Sequence, residues 1–493
     1  TLFTCEYRYL LLTPFPTYPI PQHCRCHHAT TATLTCSNDG GGGERVLWCA
    51  IAALEQRFPG ADLIVYTGEE SVATELAAAG ATDDTVSKAV IKKVADHFNV
   101  TITGSVRLVV LKNRSWVDSA EYPQLTLLGQ SLGSLVLAWE ALRACNPNVF
   151  VDTMGYGFSY PLASLMFGCR VACYTHYPTI STDMLLTVKE GRASFNNSAT
   201  ISSSSAATAV KYAYYLGFAA LYGVSGRFAQ VVMVNSSWTK GHIDYLWFPF
   251  ASSLDSSSSS QKKKAALKPS EKHTNADGAV RLFPPCDNRD KLSLAIDKPR
   301  EKVFLSIAQY RPEKNHMLQI EAFAHLLSQH PDSPQTNDAR LVMLGSSRNA
   351  DDEARVDALR ARAKELKIDA QVEVITNVKY TDLLDWLGRS LGGLHTMTNE
   401  HFGISIVEFM VSATGLLRIL VPLLSSVLSS VFKILFRSCL LISLHSSSFF
   451  CSPPQKAAGV VPIANYSGGP KADIVSCNDS DIARSPGFLA TTK

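Results

Sequence analysis

No large excess of charge of either sign marks this sequence: 46 Lys and Arg stand against 43 Asp and Glu over 493 residues, a net charge of +3. That balance excludes a nucleic-acid binder driven by bulk charge, because too little surplus cation exists to neutralise phosphates. Charged residues make up only 18%, against a usual fraction of about one quarter, which argues for a core-rich protein touching a membrane and against disorder. The 12 cysteines form no regular framework. Their one tight cluster, Cys24-Arg25-Cys26-His27-His28, lacks a second pair at zinc-finger spacing. A structural metal is therefore disfavoured, and reduced cytosolic thiols are expected. The N-terminus has no basic segment followed by a clean apolar stretch, so no signal peptide is expected. Residues 1–36 are rich in Thr, Pro, Tyr and His and carry neither helical nor strand periodicity. The chain begins at Thr1 and runs to Lys493 without a stop signal for the fold, so both ends read as truncated.

What is present is alternation. A helix-like run from Glu44 to Leu54 follows Gly40–Gly43, and Ala61–Gly68 reads as a buried strand. Strand-like segments recur at Thr101–Ile102, Val106–Leu111, Val149–Asp152 and Arg170–Tyr174, separated by helical stretches. Ala251–Gly278, with Ser256–Ser260 and Lys262–Lys264, breaks this pattern as a solvated linker or loop. Strands resume at Val303–Ile307, Arg340–Gly345 and Val372–Ile375. Apolar strands alternating with helices predict α/β structure with parallel sheets. The expected organisation is an atypical segment 1–36, a first domain over 37–250, a low-complexity loop over 251–278 and a second domain over 279–493. A cleft between the two domains is the default ligand site.

One segment does not fit. Leu416–Phe436 is apolar and long enough to span a bilayer, but Arg418, Pro422, Lys433 and four serines make it a poor span. It also interrupts a helix expected to continue from Glu408-Phe409-Met410 into Ala457-Ala458-Gly459. Val411-Ser412 can be encoded by GTGAGT, a splice-donor consensus. Ser446–Gln455 can be encoded by a pyrimidine tract ending in CAG, a splice acceptor. Val411–Gln455 therefore reads as a retained intron, with a genuine membrane insertion as the alternative.

The sharpest chemical signal is Asn399-Glu400-His401-Phe402-Gly403-Ile404-Ser405-Ile406-Val407-Glu408. A helix starting near Phe402-Gly403 would turn its free N–H groups and positive dipole end toward whatever Glu400 faces, which suits a diphosphate. Gly403 lets a ligand approach the backbone, and Glu408 can accept two ribose hydroxyls. An acidic helix start satisfied by its own dipole explains the spacing as well. Arg311 and Lys314, just after the strand Val303–Ile307, offer a planar fork and a point charge to a diphosphate leaving group, or are solvated surface charge. Ser467-Gly468-Gly469 could present N–H groups to the same phosphates or form an ordinary turn. In the first half, Gly40–Gly43 precedes a helix as a candidate anion or sugar cradle. It lacks the Lys-Ser/Thr of a P-loop and the spaced glycines of a dinucleotide site, so ATPase and NAD readings are set aside. His176, at a strand's C-terminal end beside Pro178, is placed to touch a sugar or is a satisfied structural histidine. Ala209–Val224 has an aromatic-rich apolar face suited to a lipid interface or to a core. Six N-x-S/T sequons, Asn113 and Asn235 among them, matter only in a lumenal protein.

Seven segments carry a resemblance: GGGGERVLWCAI, LTLLGQSLGSLVLAWEAL, VDTMGYGFSYPLASLMFGCRVACYTHYPTISTDML, VVMVNSSWTKGHI, FPPC, FLSIAQYRPEKNHMLQIEAF and NEHFGISIVEFM. Together they closely resemble the α-1,2-mannosyltransferases of asparagine-linked glycosylation, within glycosyltransferase family 4. The resemblance runs from about Ser37 to Ala490, outside the Ser-rich loop and Val411–Gln455. It implies the GT-B architecture, two Rossmann-like domains facing a cleft, with GDP-mannose held mainly by the second. It implies a retaining enzyme that adds two α-1,2-linked mannoses in turn to a dolichol-diphosphate-linked trimannosyl-chitobiose. That reaction would occur on the cytosolic face of the endoplasmic reticulum membrane, beside other mannosyltransferases of the pathway, with no metal or other cofactor and no nucleic acid. By the same resemblance Glu400, Phe402, Gly403 and Ile404 would contact mannose and phosphates, and Glu408 the ribose. Arg311 and Lys314 would stabilise the leaving diphosphate. His176 would sit near the donor sugar, and Gly42 and Gly43 near the reacting centre. Gly345, Ser467, Gly468 and Gly469 complete the expected nucleotide site. The alternatives are a related family 4 transferase with another nucleotide sugar, or an inactive splice product or non-catalytic nucleotide-sugar-binding remnant.

Overall fold

The computed structural model describes residues 42–68, 98–191, 204–249, 278–294 and 299–412 apart from 287, 332, 334, 335, 348 and 398. It also describes the strands 30–34, 461–465 and 488–490, Asp473 and parts of 87–95. The chain divides into two compact units, Thr1–Pro285 and Cys286–Lys493.

The first unit runs β1 (Thr30–Leu34), α1 (Gly42–Arg57), β2 (Asp62–Thr67), β3 (Val106–Val110), α2 (Thr126–Ala144), β4 (Val149–Asp152) and β5 (Arg170–Thr175). It continues through α3 (Thr182–Lys189), α4 (Ser205–Gly226), β6 (Val231–Val234), α5 (Ser237–Trp247) and β7 (Val280–Arg281). Its sheet has the order β3-β2-β1-β4-β5-β6-β7, and every pairing is parallel. Both faces are covered, which is why the strands read as continuous apolar runs and not as alternating ones. Successive side chains still point to opposite faces. Ile64, Tyr66, Phe150 and Val171 enter one core with Leu137, Tyr222 and Trp247, while Leu63, Val65, Val149 and Tyr174 enter the other with Leu47 and Ile51. Serine caps start three of the helices. Ser181, Ser204 and Ser236 accept hydrogen bonds from the backbone N–H groups of Met184, Ala207 and Thr239, satisfying donors that a first helical turn leaves open.

The second unit runs α6 (Arg289–Leu292), β8 (Glu301–Ile307), α7 (His316–Gln329), β9 (Arg340–Gly345), α8 (Ala350–Glu365) and β10 (Val372–Thr376). It continues through α9 (Tyr380–Arg389), β11 (Ser390–His395), α10 (Ile404–Val411), β12 (Val461–Asn465) and β13 (Phe488–Ala490). The order is β10-β9-β8-β11-β12-β13, again parallel throughout. Each sheet is therefore a doubly wound Rossmann-like sheet. Its order reverses beside its first strand, at β1/β4 and at β8/β11, and ligands bind such sheets at the carboxyl ends of the strands flanking that reversal.

Three expectations are corrected. Thr30–Leu34, in a segment with no legible periodicity, is an interior strand between β2 and β4. Its TTATL sequence holds a single large apolar residue, so the pattern that marks the other strands is missing. Thr101–Ile102 belongs to no strand, and the next residue, Thr103, instead donates its backbone N–H to Glu55 Oε2 at 3.1 Å. The domain boundary falls after Pro285 and not after residue 278, because Val280–Arg281 pairs with β6 and closes the first sheet.

Among the described residues, no helix is long and apolar enough to cross a membrane. Leu416–Phe436, residues 1–29 and Ser256–Lys264 lie outside them. The aromatic face of α4 is core, with Tyr215, Phe218 and Tyr222 buried. Its outer face is aliphatic and exposed at Val210, Leu216, Leu221 and Val224.

Candidate active site

In the first unit, the turn after β4 is built by Asp152, which is fully buried. Its Oδ1 accepts from Met154 N at 2.8 Å, and its Oδ2 from Gly155 N at 3.1 Å and from the Tyr160 hydroxyl at 2.6 Å. Burial pushes this carboxyl upward, against the pull of those donors. Gly155 takes φ +86° within that turn, and its carbonyl accepts from Thr179 Oγ1 at 3.2 Å. The loop after β4 is thereby tied to the loop after β5.

His176 follows β5 directly. Asn235 Nδ2 donates to its carbonyl at 2.9 Å, and Tyr174 meets its ring edge-on at 4.8 Å. Its Nε2 faces Gly43, where a Cβ would stand only 3.3 Å away. His176 and the start of α1 are thus brought together at the switch point of the first sheet. Gly42, the first residue of α1, is exposed there. Asn235 is itself buried and donates to His176, and Asn113 Nδ2 donates to Glu140 at 2.8 Å, so both sequon side chains are engaged inside the fold.

The second constellation lies at the carboxyl ends of β8 and β11. Lys314 Nζ is 2.7 Å from Glu400 Oε2, and His395 Nε2 meets the same oxygen at 2.9 Å. Glu400 Oε1 accepts from the His401 backbone N–H at 3.0 Å. Ser405 Oγ lies 3.2 Å from His395 Nδ1, which completes a Ser405–His395–Glu400–Lys314 chain. Glu400 is only 8% exposed. Burial opposes its charge, but Lys314 and His395 outweigh burial and hold the carboxyl well below its usual range. Thr396 Oγ1 donates to the Lys314 carbonyl at 2.8 Å and accepts from Gln319 Nε2 at 2.8 Å, which locks the loop after β11 to the start of α7. His316 and His401 are both lowered to about 4, by burial first, so both are neutral near pH 7. Arg311 Nη1 lies 4.0 Å from Glu313.

Gly403 caps α10 at φ +95° with no side-chain cap. The Ile406 N–H turns back to the Gly403 carbonyl at 3.0 Å, which leaves those of Ile404 and Ser405 at the helix start, placed in the way anion sites use them. Phe402 is buried beside Gly403, and Ile404 opens the helix. Gly345 has a packing reason of its own, since a Cβ there would fall 2.2 Å from the Ala308 carbonyl oxygen. Glu408 reaches Lys291 Nζ at 3.1 Å, a partner absent from the sequence reading. Ser467, Gly468 and Gly469 lie outside the described residues. Among the described residues, no group of His, Cys, Asp or Glu forms a metal-holding cluster.

Two doubly wound units, the second carrying a carboxylate–lysine–histidine constellation beside an uncapped helix start, define a GT-B glycosyltransferase. The family model described as "ALG11 mannosyltransferase N-terminus" matches residues 33–247, and "Glycosyl transferases group 1" matches 288–422. The human GDP-Man:Man(3)GlcNAc(2)-PP-Dol alpha-1,2-mannosyltransferase is 38% identical over 460 residues, covering 92% of this chain and 75% of the relative. The protein of the same name in Dictyostelium discoideum is 37% identical, with 92% and 73% covered. The chain belongs to this alpha-1,2-mannosyltransferase family. Among solved structures, an α,α-trehalose-phosphate synthase (UDP-forming) from Burkholderia vietnamiensis matches with a TM-score of 0.52 at 12% identity. That match covers 93% of this chain and 88% of the synthase, a likeness of fold alone.

Proposed function

We propose that this chain transfers mannose from GDP-mannose to a dolichol-diphosphate-linked trimannosyl-chitobiose. Two α-1,2-linked residues are added in turn, with the anomeric configuration retained. The observation that carries the reading is the Lys314–Glu400–His395 constellation at the β8/β11 switch point, in a chain whose relatives bear that enzyme's name. The C1–O bond to the diphosphate breaks as C1 bonds the 2-hydroxyl of an acceptor mannose. The hydroxyl proton passes to the departing diphosphate oxygen. Lys314, Arg311 and the first-turn N–H groups of α10 stabilise the charge that grows on the diphosphate, the role that preorganised donors play best. Glu400, fixed from both sides, orients the mannose, and Glu408 binds the ribose. Within the first unit, His176 and Gly43 are the pair that this reading assigns to sugar contact. Site and reaction need no metal in this reading.

In this reading the chain works at a membrane surface, the cytosolic face of the endoplasmic reticulum, and the α4 outer face supports the contact with lipid alone. The helix holds no carboxylate, and its exposed stripe is aliphatic. Incubating the full chain with radiolabelled GDP-mannose and the trimannosyl lipid acceptor, in chelator, tests the reading. Products one and then two hexoses heavier, both removed by an α-1,2-mannosidase, are expected. Transfer from another nucleotide sugar in place of GDP-mannose would overturn the donor assignment. A divalent-ion requirement would overturn the metal-free reading.

A further inference from the structure

Lys291 sits in the short helix α6 and is only 2% exposed. An ammonium in such a place is costly unless it is paired. Its Nζ lies 3.1 Å from Glu408 Oε1 and 5.3 Å from the centre of the Tyr380 ring. The Tyr380 hydroxyl in turn donates to Asp290 Oδ2 at 3.2 Å. Glu408 has an 18% exposed side chain and stands on α10 between Ile406 and Phe409, both buried. The helix is thus anchored on its apolar side, and the carboxylate is held from beneath by Lys291.

We propose that Lys291 is a positioning residue for the donor, fixing one oxygen of the Glu408 carboxylate so that the other is presented to the ribose diol of a nucleoside diphosphate sugar. The proposal rests on the ribose reading of Glu408. A free glutamate samples several rotamers, and ordering it on binding costs affinity that a preset partner spares. The 116 residues between the two partners in sequence explain why neither spacing nor motif pairs them.

Titration of the full chain with guanosine diphosphate and with its 2′,3′-dideoxy analogue separates the two ideas. The wild-type chain is expected to prefer the diol by about tenfold or more, the scale of hydrogen bonds to a charged group. Lys291→Met should bind the dideoxy analogue as the wild type does, which reports an intact site, while its preference for the diol falls to about twofold or less. Lys291→Arg keeps the buried charge but moves its donors, and should fall between the two. If Lys291→Met does not fold, the Arg variant alone decides. A wild-type preference retained in the variant overturns the positioning role and leaves the ribose reading standing. Equal weakening toward both ligands makes the pair a structural brace and overturns the proposal. No preference in the wild type removes the ribose reading itself, and the proposal with it.

Discussion

Gly403 meets a constraint that side chains meet poorly. It caps α10 at φ +95°, in the region where an L-residue costs about 1–2 kcal/mol, and an added Cβ would fall 2.7 Å from Ile406 Cδ1. Gly403→Ala should therefore lower the stability of the second unit by about 1–2 kcal/mol. Guanosine diphosphate affinity should drop by about tenfold, because the first-turn N–H groups turn away from the anion. Chemical denaturation and calorimetric titration check the two effects, and unchanged affinity would remove the anion role of this helix start. The sequence made this residue legible, together with Glu400 and Lys314, because glycine at a helix entry and cations at a strand end carry their chemistry in their residue type. His395, Thr396 and Lys291 were not legible. Residue type and spacing give none of them a role, and the meaning of each comes only from a partner brought near by the fold: Glu400 for His395, the Lys314 carbonyl for Thr396 and Glu408 for Lys291.

The helices and strands were readable to the extent that burial wrote them as apolar runs. β4 has all four residues buried and stood out at once, whereas β1 with its threonines did not. For α4, sequence left the aromatic face open between a lipid interface and a core, and the structure makes it core. The aromatics fill the core, and the face left to solvent is Val210, Leu216, Leu221 and Val224, exposed by 73%, 45%, 60% and 55%. Aliphatic exposure of this extent along one helix is what an interfacial helix presents to lipid. Replacing Leu221 and Val224 together by Glu should leave the melting transition nearly unchanged, since exposed surface substitutions shift stability by about 0.5 kcal/mol or less. Co-sedimentation with phosphatidylcholine–phosphatidylserine vesicles should fall severalfold. Undiminished sedimentation of the double variant would free α4 from any membrane role.

At the scale of the whole chain, the decisive feature is the stretch Val411–Gln455, which separates α10 from the strand it feeds. β12 pairs in parallel with β11, so the chain between them is a crossover whose helix is α10. Connections in such units run about 2–6 residues. Without Val411–Gln455, Met410 would be followed by Lys456-Ala457-Ala458-Gly459-Val460 and then by β12. Lysine and alanine favour a further helical turn, and Gly459 stops it. The Arg300 Nη2 hydrogen bond to the Ser412 carbonyl, 2.7 Å long, needs only a backbone oxygen, which Ala457 would supply at the same position. The match to the group 1 glycosyl transferase family ends at residue 422, inside this stretch. The shortened chain should therefore unfold at a higher denaturant concentration than the full chain. It should also bind guanosine diphosphate more tightly and transfer mannose faster, because Glu408 would then lie on a helix that closes normally onto its sheet. Equal stability and equal transfer in the two chains, together with a mature transcript that keeps these codons, would make the stretch a genuine part of the enzyme.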